Sequence, residues 1–74
     1  MSQIVPNQRL VSLRKAAQLT QEQLALKIGV TQSMIAHIES GTKDPGRENK
    51  LKLAAFFGVT VEYLFYEVYY DVKS

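Results

Sequence analysis

The sequence predicts a small all-α domain built from five short helices. Three observations lead to this prediction: apolar residues recur at helical spacing nearly throughout, threonines precede three of the apolar stretches, and glycines follow three of them. With 74 residues and no cysteine, the chain is expected to form one hydrophobic core without disulfides or thiolate metal sites.

The first predicted helix runs from about Pro6 to Ala17 and buries Leu10, Leu13 and Ala17 on one side. Pro6 suits the first turn of a helix, because proline lacks an N–H group that this turn leaves unbonded. A second helix follows Thr20, which with Gln23 three residues later forms a capping-box pattern. Its predicted buried face comprises Leu24, Ala25 and Ile28, and Gly29 ends it.

The remaining three helices are predicted from the same signals. Thr31 caps a third helix, which buries Met34, Ile35 and Ile38 and ends near Ser40 before Gly41. The stretch TKDPGR is a loop, because Asp-Pro-Gly is typical of turns. A fourth helix spans about residues 48–57, with Leu51, Ala54 and Phe57 buried, and Gly58 ends it. Thr60 caps a short fifth helix through Leu64 and Phe65.

The second and third helices are about eight residues long and only a short, glycine-containing turn separates them. This spacing is typical of the helix-turn-helix motif, in which two helices cross steeply. The second helix of such a pair can enter the major groove of DNA. Its outer side here carries Gln32, Ser33 and His37, which are uncharged hydrogen-bonding side chains suited to base edges.

The segments LRKAAQLTQEQLALKIGVTQSMIAHIESGTKDP and LKLAAFFGVTVEYLF resemble the lambda-repressor-like, Cro-type helix-turn-helix regulators of phages and bacteria. The resemblance covers about residues 7–66. It implies a five-helix DNA-binding domain over residues 1–66 that acts as a dimer on a palindromic operator of double-stranded DNA. The expected function is therefore a transcriptional repressor.

The resemblance also implies roles for individual residues. The residues expected to contact bases are Gln32, Ser33, Ala36 and His37; those expected to contact phosphates are Gln21, Thr31, Ser40, Thr42 and Lys43. An amide such as that of Gln32 can form a bidentate pair with adenine, and Ala36 can accept a thymine methyl group. Glu39 opposes the dipole of its helix and is expected to form a structural ion pair with Arg14.

Several positions depart from the family pattern. Gln18 stands where glycine or asparagine is frequent, which predicts mild strain in that turn. Lys50 occupies a position that is often apolar. Asp44 and Gly46 replace residues that often grip the DNA backbone, so the family's loop contacts do not transfer directly to them.

The charge distribution separates the body of the chain from its C-terminal tail. Residues 1–58 hold eight basic and four acidic side chains, whereas residues 59–74 hold one basic and three acidic ones. A basic body is compatible with a polyanionic partner. In the tail, residues 67–74, apolar and polar side chains alternate, which predicts either a short strand at a dimer contact or a frayed or helix-extending end.

The main alternative function is a protein-interaction module, such as an antitoxin or a domain that docks on the transcription machinery. An enzyme is not expected, because the chain shows no nucleophile–base pair, phosphate loop or metal-ligand spacing. His37 is the only histidine and there is no cysteine, so no metal or other cofactor is predicted. The N-terminal stretch lacks the features of a signal peptide and no apolar run is long enough for a membrane, which predicts a cytoplasmic protein.

Overall fold

The computed structural model describes residues 5–66, and this part of the chain is all-α, as predicted. The helices are α1 (Gln8–Ala16), α2 (Gln21–Ile28), α3 (Gln32–Ser40), α4 (Gly46–Phe57) and α5 (Glu62–Tyr66), the last being one short, wide helical turn. Among these residues no helix is long and apolar enough to cross a membrane. The predicted C-terminal strand falls on residues 67–74, outside the described part.

Each helix contributes one completely buried aliphatic side chain to a common core. These five side chains are Leu10, Leu24, Ile35, Leu53 and Leu64. Smaller or partly buried neighbours complete the core: Ala25, Ile28, Ile38, Phe65, Leu13, Leu19, Val30, Met34, Phe57, Val59 and Val61. Because the helices are short, the core depends on all five of them at once.

The predicted start and stop signals of α2 and α3 are confirmed. Thr20 accepts a hydrogen bond from the backbone N–H of Gln23 at 3.0 Å, and the Gln23 side chain accepts one from the Thr20 backbone at 2.9 Å. Thr31 caps α3 by accepting from the Met34 backbone at 3.1 Å. Gly29 and Gly41 end the two helices with φ of 80°, a conformation that favours glycine.

The predicted start of α1 is wrong, whereas its predicted end near Ala17 is confirmed within one residue. The helix begins at Gln8, after Asn7, whose side chain accepts from the Leu10 backbone at 3.0 Å. Pro6 therefore lies before the cap and not in the first turn. Ala17 was predicted to be buried, but the helix ends at Ala16 and Ala17 is exposed, because the chain already turns away there.

Asn7 also joins α1 to two other elements. Its side-chain amide donates to the carbonyl of Leu64 at 2.9 Å, and its backbone N–H donates to the carbonyl of Glu39 at 2.8 Å. Only 6% of this residue is exposed. A buried amide with all these bonds fixes the start of α1 against the end of α3 and against α5.

The fourth helix begins earlier than predicted; Ala54 is buried and Phe57 partly buried, as predicted, but Leu51 is not. It starts at Gly46 and not near residue 48. Leu51 was predicted to be buried, yet it is 50% exposed, while Leu53 is completely buried in its place. The inward side of α4 follows the helical spacing of residues 50, 53, 54 and 57, and Leu51 lies beside it.

The turn between α1 and α2 carries the strain that the sequence predicts. Gln18 has φ of 60°, and it is the one residue other than glycine with positive φ in the described part of the chain. Asparagine and glycine adopt this conformation at lower cost than glutamine does. The departure at Gln18 is therefore a local strain that the fold accommodates.

Candidate nucleic-acid interface

The outer face of α3 is polar, uncharged and exposed. Gln32, Ser33 and His37 are all exposed on this helix, and Ala36 is half-buried between them. The opposite face is held in the core by Ile35 and Ile38. The helix is thus anchored on one side, while the other presents hydrogen-bond donors and acceptors of the kind that match base edges in the major groove.

A chain of hydrogen bonds fixes the first residue of this face. Gln32 donates from Nε2 to Oε1 of Gln21 at 2.7 Å, and Gln21 donates from its own Nε2 to Oε1 of Glu39 at 2.9 Å. Glu39 is held in turn by Arg14, whose Nε lies 2.6 Å from Oε2 and whose Nη2 lies 3.2 Å from Oε1. Arg14 also donates to the carbonyl of Leu19 at 2.8 Å.

The donors and acceptors in this chain have a defined direction. A carboxylate only accepts, so the Gln21 amide must turn its N–H toward Glu39 and its oxygen toward Gln32. Gln32 then uses one N–H for Gln21 and retains its second N–H and its oxygen for an outside group. Glu39 and Arg14 are only 6% and 12% exposed, so the direction of these hydrogen bonds is fixed by two largely buried charged groups.

The other end of α3 carries a second polar cluster, formed with the loop that follows. Ser40 donates from its hydroxyl to the carbonyl of His37 at 3.1 Å and shares a 2.9 Å hydrogen bond with the Thr42 hydroxyl. The Thr42 hydroxyl also lies 3.2 Å from Nδ1 of His37. Lys43 follows and is exposed.

The structure places the candidate phosphate-contacting residues in two groups on either side of the outer face of α3. Gln21 and Thr31 stand at the starts of α2 and α3, where free backbone N–H groups favour an anion. Ser40, Thr42 and Lys43 lie at the opposite end. The hydroxyl of Thr31 is already used as the cap of α3.

The sequence did not predict the bond between Gln21 and Gln32, which were expected to make two separate contacts to DNA. The environment of Lys50, which contacts the loop after α3 and the fifth helix, was not predicted either. Two glutamines at the first positions of helices joined by a tight turn are a signal for the Gln21–Gln32 bond. No local pattern signals the environment of Lys50, because Tyr66 is 16 residues away.

Two helices joined by a turn of three residues, the second anchored in the core with a polar free face, are typical of a helix-turn-helix DNA-binding domain. The family model described as Helix-turn-helix matches residues 10–64. The chain therefore belongs to the Cro-type helix-turn-helix family and is a DNA-binding transcription regulator. This is a family of DNA-binding regulators and not of enzymes.

Several known proteins are similar to this chain. An HTH-type transcriptional regulator of Methanocaldococcus jannaschii is 44% identical over 57 residues, covering 77% of this chain and 86% of that protein. The HTH-type transcriptional regulator YobD of Bacillus subtilis is also 44% identical over 57 residues, which is 77% of this chain but 51% of YobD. The HTH-type transcriptional activator BcrR of Enterococcus faecalis is 40% identical over 58 residues, which is 78% of this chain and 28% of BcrR.

A solved structure has the same fold. The restriction-modification controller protein C.AhdI from Aeromonas hydrophila is 37% identical, with a TM-score of 0.70. The likeness covers 80% of this chain and 86% of that one. At this level of identity the similarity extends beyond the arrangement of helices to the sequence that forms them.

Proposed function

We propose that this protein is a sequence-specific repressor that binds a palindromic operator as a dimer, with α3 of each copy in the major groove. The observation that carries the proposal is the exposed, uncharged polar face of α3 between two groups of side chains suited to phosphates. Phosphate contacts place a protein on DNA, and contacts to base edges provide specificity.

The base contacts are assigned from the chemistry of that face. Gln32 retains an oxygen and an N–H, the pair that matches N6 and N7 of adenine. Ser33 and His37 can each donate or accept, and the methyl group of Ala36 fits against a thymine methyl. The bond from Gln32 to Gln21 supports this role, because a preoriented amide loses less entropy on binding.

The phosphate contacts are assigned to the two flanking groups. Gln21 and Thr31 serve at the helix starts, where the dipole attracts an anion. Ser40, Thr42 and Lys43 serve at the end of α3 and in its loop. Because Lys43 is exposed and charged, its contribution is electrostatic and independent of sequence.

An exposed groove with both apolar and charged residues supports the dimer. Leu51 and Tyr66 are 50% and 49% exposed, and they line this groove between α4 and α5 together with Val61. Arg47, Lys50 and Glu62 line the same groove, so its charges can complement those of a second copy related by two-fold symmetry. The tail, residues 67–74, follows directly after Tyr66, and we propose that it adds to this contact.

Selection of bound DNA from a random library, at one stated salt concentration, tests the proposal. An enriched palindrome with half-sites about 10 base pairs apart is expected for a dimer. Enrichment of a single half-site would contradict the dimer but not the reading of bases. If no sequence were enriched and the chain bound a protein tightly, the protein-interaction module would be the correct function.

The direction of regulation needs its own test, because one relative is named an activator. We propose that the bound protein excludes RNA polymerase from the promoter, in the cytoplasm where that promoter lies. A reporter gene placed behind the selected operator should lose expression when the protein is supplied. Raised expression would show that the protein activates transcription.

A further inference from the structure

Lys50 is nearly buried, which is unusual for a lysine. Only 15% of its side chain is exposed. Its ammonium group lies 3.0 Å from Oδ1 of Asp44 and donates to the hydroxyl of Tyr66 at 3.2 Å. It also lies 4.9 Å from the centre of the Tyr66 ring and 5.8 Å from that of Phe65. One cation on α4 thus joins the loop after α3 to the fifth helix.

Asp44 uses both carboxylate oxygens. While Oδ1 contacts Lys50, Oδ2 accepts from the backbone N–H of Gly46 at 3.2 Å. The hydrogen bond from Lys50 lowers the pKa of Asp44, and the bond to Asp44 raises the pKa of Lys50. Both shifts favour the charged forms of the two groups. Asp44 is 72% exposed, so the pair adds little stability; its effect is on geometry.

The loop of residues 41–45 borders a cavity, so these bonds are supports for it. The cavity is about 210 Å³ in volume. Its lining includes Val5, Gly41, Pro45, Lys50, Phe65 and Tyr66. At one end of the loop Thr42 is bonded to α3, and at the other end Asp44 is bonded to Lys50. Lys43 lies between these two attachments.

We propose that Lys50 is a positioning residue for DNA binding: by holding Asp44 against the fifth helix, it keeps the 41–45 loop in the conformation that presents Thr42 and Lys43 to phosphates. This inference rests on the proposed function, since it assigns a role in DNA binding to a residue whose contacts are with Asp44 and the fifth helix. It also links the loop to Tyr66, at the end of the fifth helix.

Removing one negative charge near the start of α4 distinguishes positioning from simple electrostatics. Asp44→Ala and Glu48→Ala each delete one carboxylate, but Glu48 pairs with Lys52 at 3.5 Å on the outside of α4. If charge alone mattered, both variants would bind DNA more tightly. Positioning predicts that Glu48→Ala binds equally or more tightly, while Asp44→Ala binds about five- to tenfold more weakly at 0.1 M salt, the size of one lost phosphate contact.

A second pair of variants removes a positive charge from the same helix. Lys50→Met keeps an apolar stem of similar length, and Lys52→Met is the matched control, because Lys52 contacts Glu48 and not the loop. Lys50→Met should bind cognate and random DNA about five- to tenfold more weakly than Lys52→Met does, with a salt slope lower by about one. Equal affinities for these two variants would overturn the proposal, even if Asp44→Ala failed to fold.

Hydrogen exchange without DNA separates failure of this inference from failure of the proposed function. Amides of the 41–45 loop should exchange faster in Lys50→Met than in Lys52→Met. If the loop were loosened and DNA affinity did not change, the positioning role would be wrong while the DNA-binding function stood. If the unmodified protein bound no DNA at low salt, the proposed function itself would be wrong, and the positioning role with it.

Discussion

Gly41 and Gly29 have the same φ of 80° but different surroundings. A Cβ atom on Gly41 would overlap the carbonyl group of Val5, whereas a Cβ on Gly29 would meet nothing within 4 Å. Gly29 is therefore needed only for its backbone conformation. Gly41 is also needed for space, because the segment before α1 passes directly over the end of α3.

The two glycines make a matched pair of substitutions. Gly29→Ala should lower the free energy of unfolding by about 1–2 kcal/mol, the cost of a left-handed backbone for alanine. Gly41→Ala should lower the free energy of unfolding by about 1–3 kcal/mol more than Gly29→Ala does, because the overlap forces the Val5 segment to move. Urea unfolding of both variants measures the difference. Equal losses would show that the Val5 segment moves away without cost.

At the scale of the elements, the ion pair between Arg14 and Glu39 joins α1 to α3 in a largely buried position. Burying two charges is expensive, so the pair need not stabilise the fold relative to an apolar pair. The pair also affects the outer face of α3, because Glu39 orients Gln21 and, through Gln21, Gln32. A structural pair and the first base-contacting side chain thus share one hydrogen-bond chain.

Removing one partner of this pair should lower the free energy of unfolding much more than removing both. Arg14→Met leaves a buried carboxylate without its main partner and should cost about 3–5 kcal/mol of unfolding free energy. The double variant Arg14→Met, Glu39→Leu should recover part of that loss. A double-mutant cycle by urea unfolding measures the coupling, and additive losses would mean that the two side chains act independently.

The helices could be predicted from sequence where their signals are local. Thr20, Thr31 and the glycines gave correct ends for α2 and α3, because each acts on residues at most a few positions away. Predictions failed where contacts between residues distant in the sequence decide which side of a helix is buried. Leu51 fits a helical period with Ala54 yet is exposed, because packing against the other helices buries the side of α4 that carries Leu53.

The candidate site, too, could be predicted only in part from the sequence. The outer face of α3 followed from the spacing of its buried residues, so Gln32, Ser33 and His37 could be placed there from sequence. The pairing of Arg14 with Glu39 came from family resemblance, because 25 residues separate them in the chain. The contacts of Lys50 with Asp44 and Tyr66 could not be foreseen, since they depend on how three elements meet.

At the scale of the whole molecule, the proposal requires that DNA affinity depend on salt. Lys43→Ala should weaken binding to every sequence and lower the slope of log affinity against log salt by about one, because one fewer counterion is released. Titrations at several salt concentrations, with cognate and random DNA, measure this slope. If only cognate binding weakened, Lys43 would be contacting a base and not a phosphate.

The central claim is that the outer face of α3 reads DNA sequence, and Gln32 offers its most direct test. The measurement is selection from a random DNA library, carried out in parallel with the unmodified protein and with Gln32→Ala. We predict that the variant loses the preference at one base pair of each half-site and about 1–3 kcal/mol of affinity for the original sequence. If both proteins enriched the same sequence with equal affinity, the assignment of Gln32, and of the face it begins, would be contradicted.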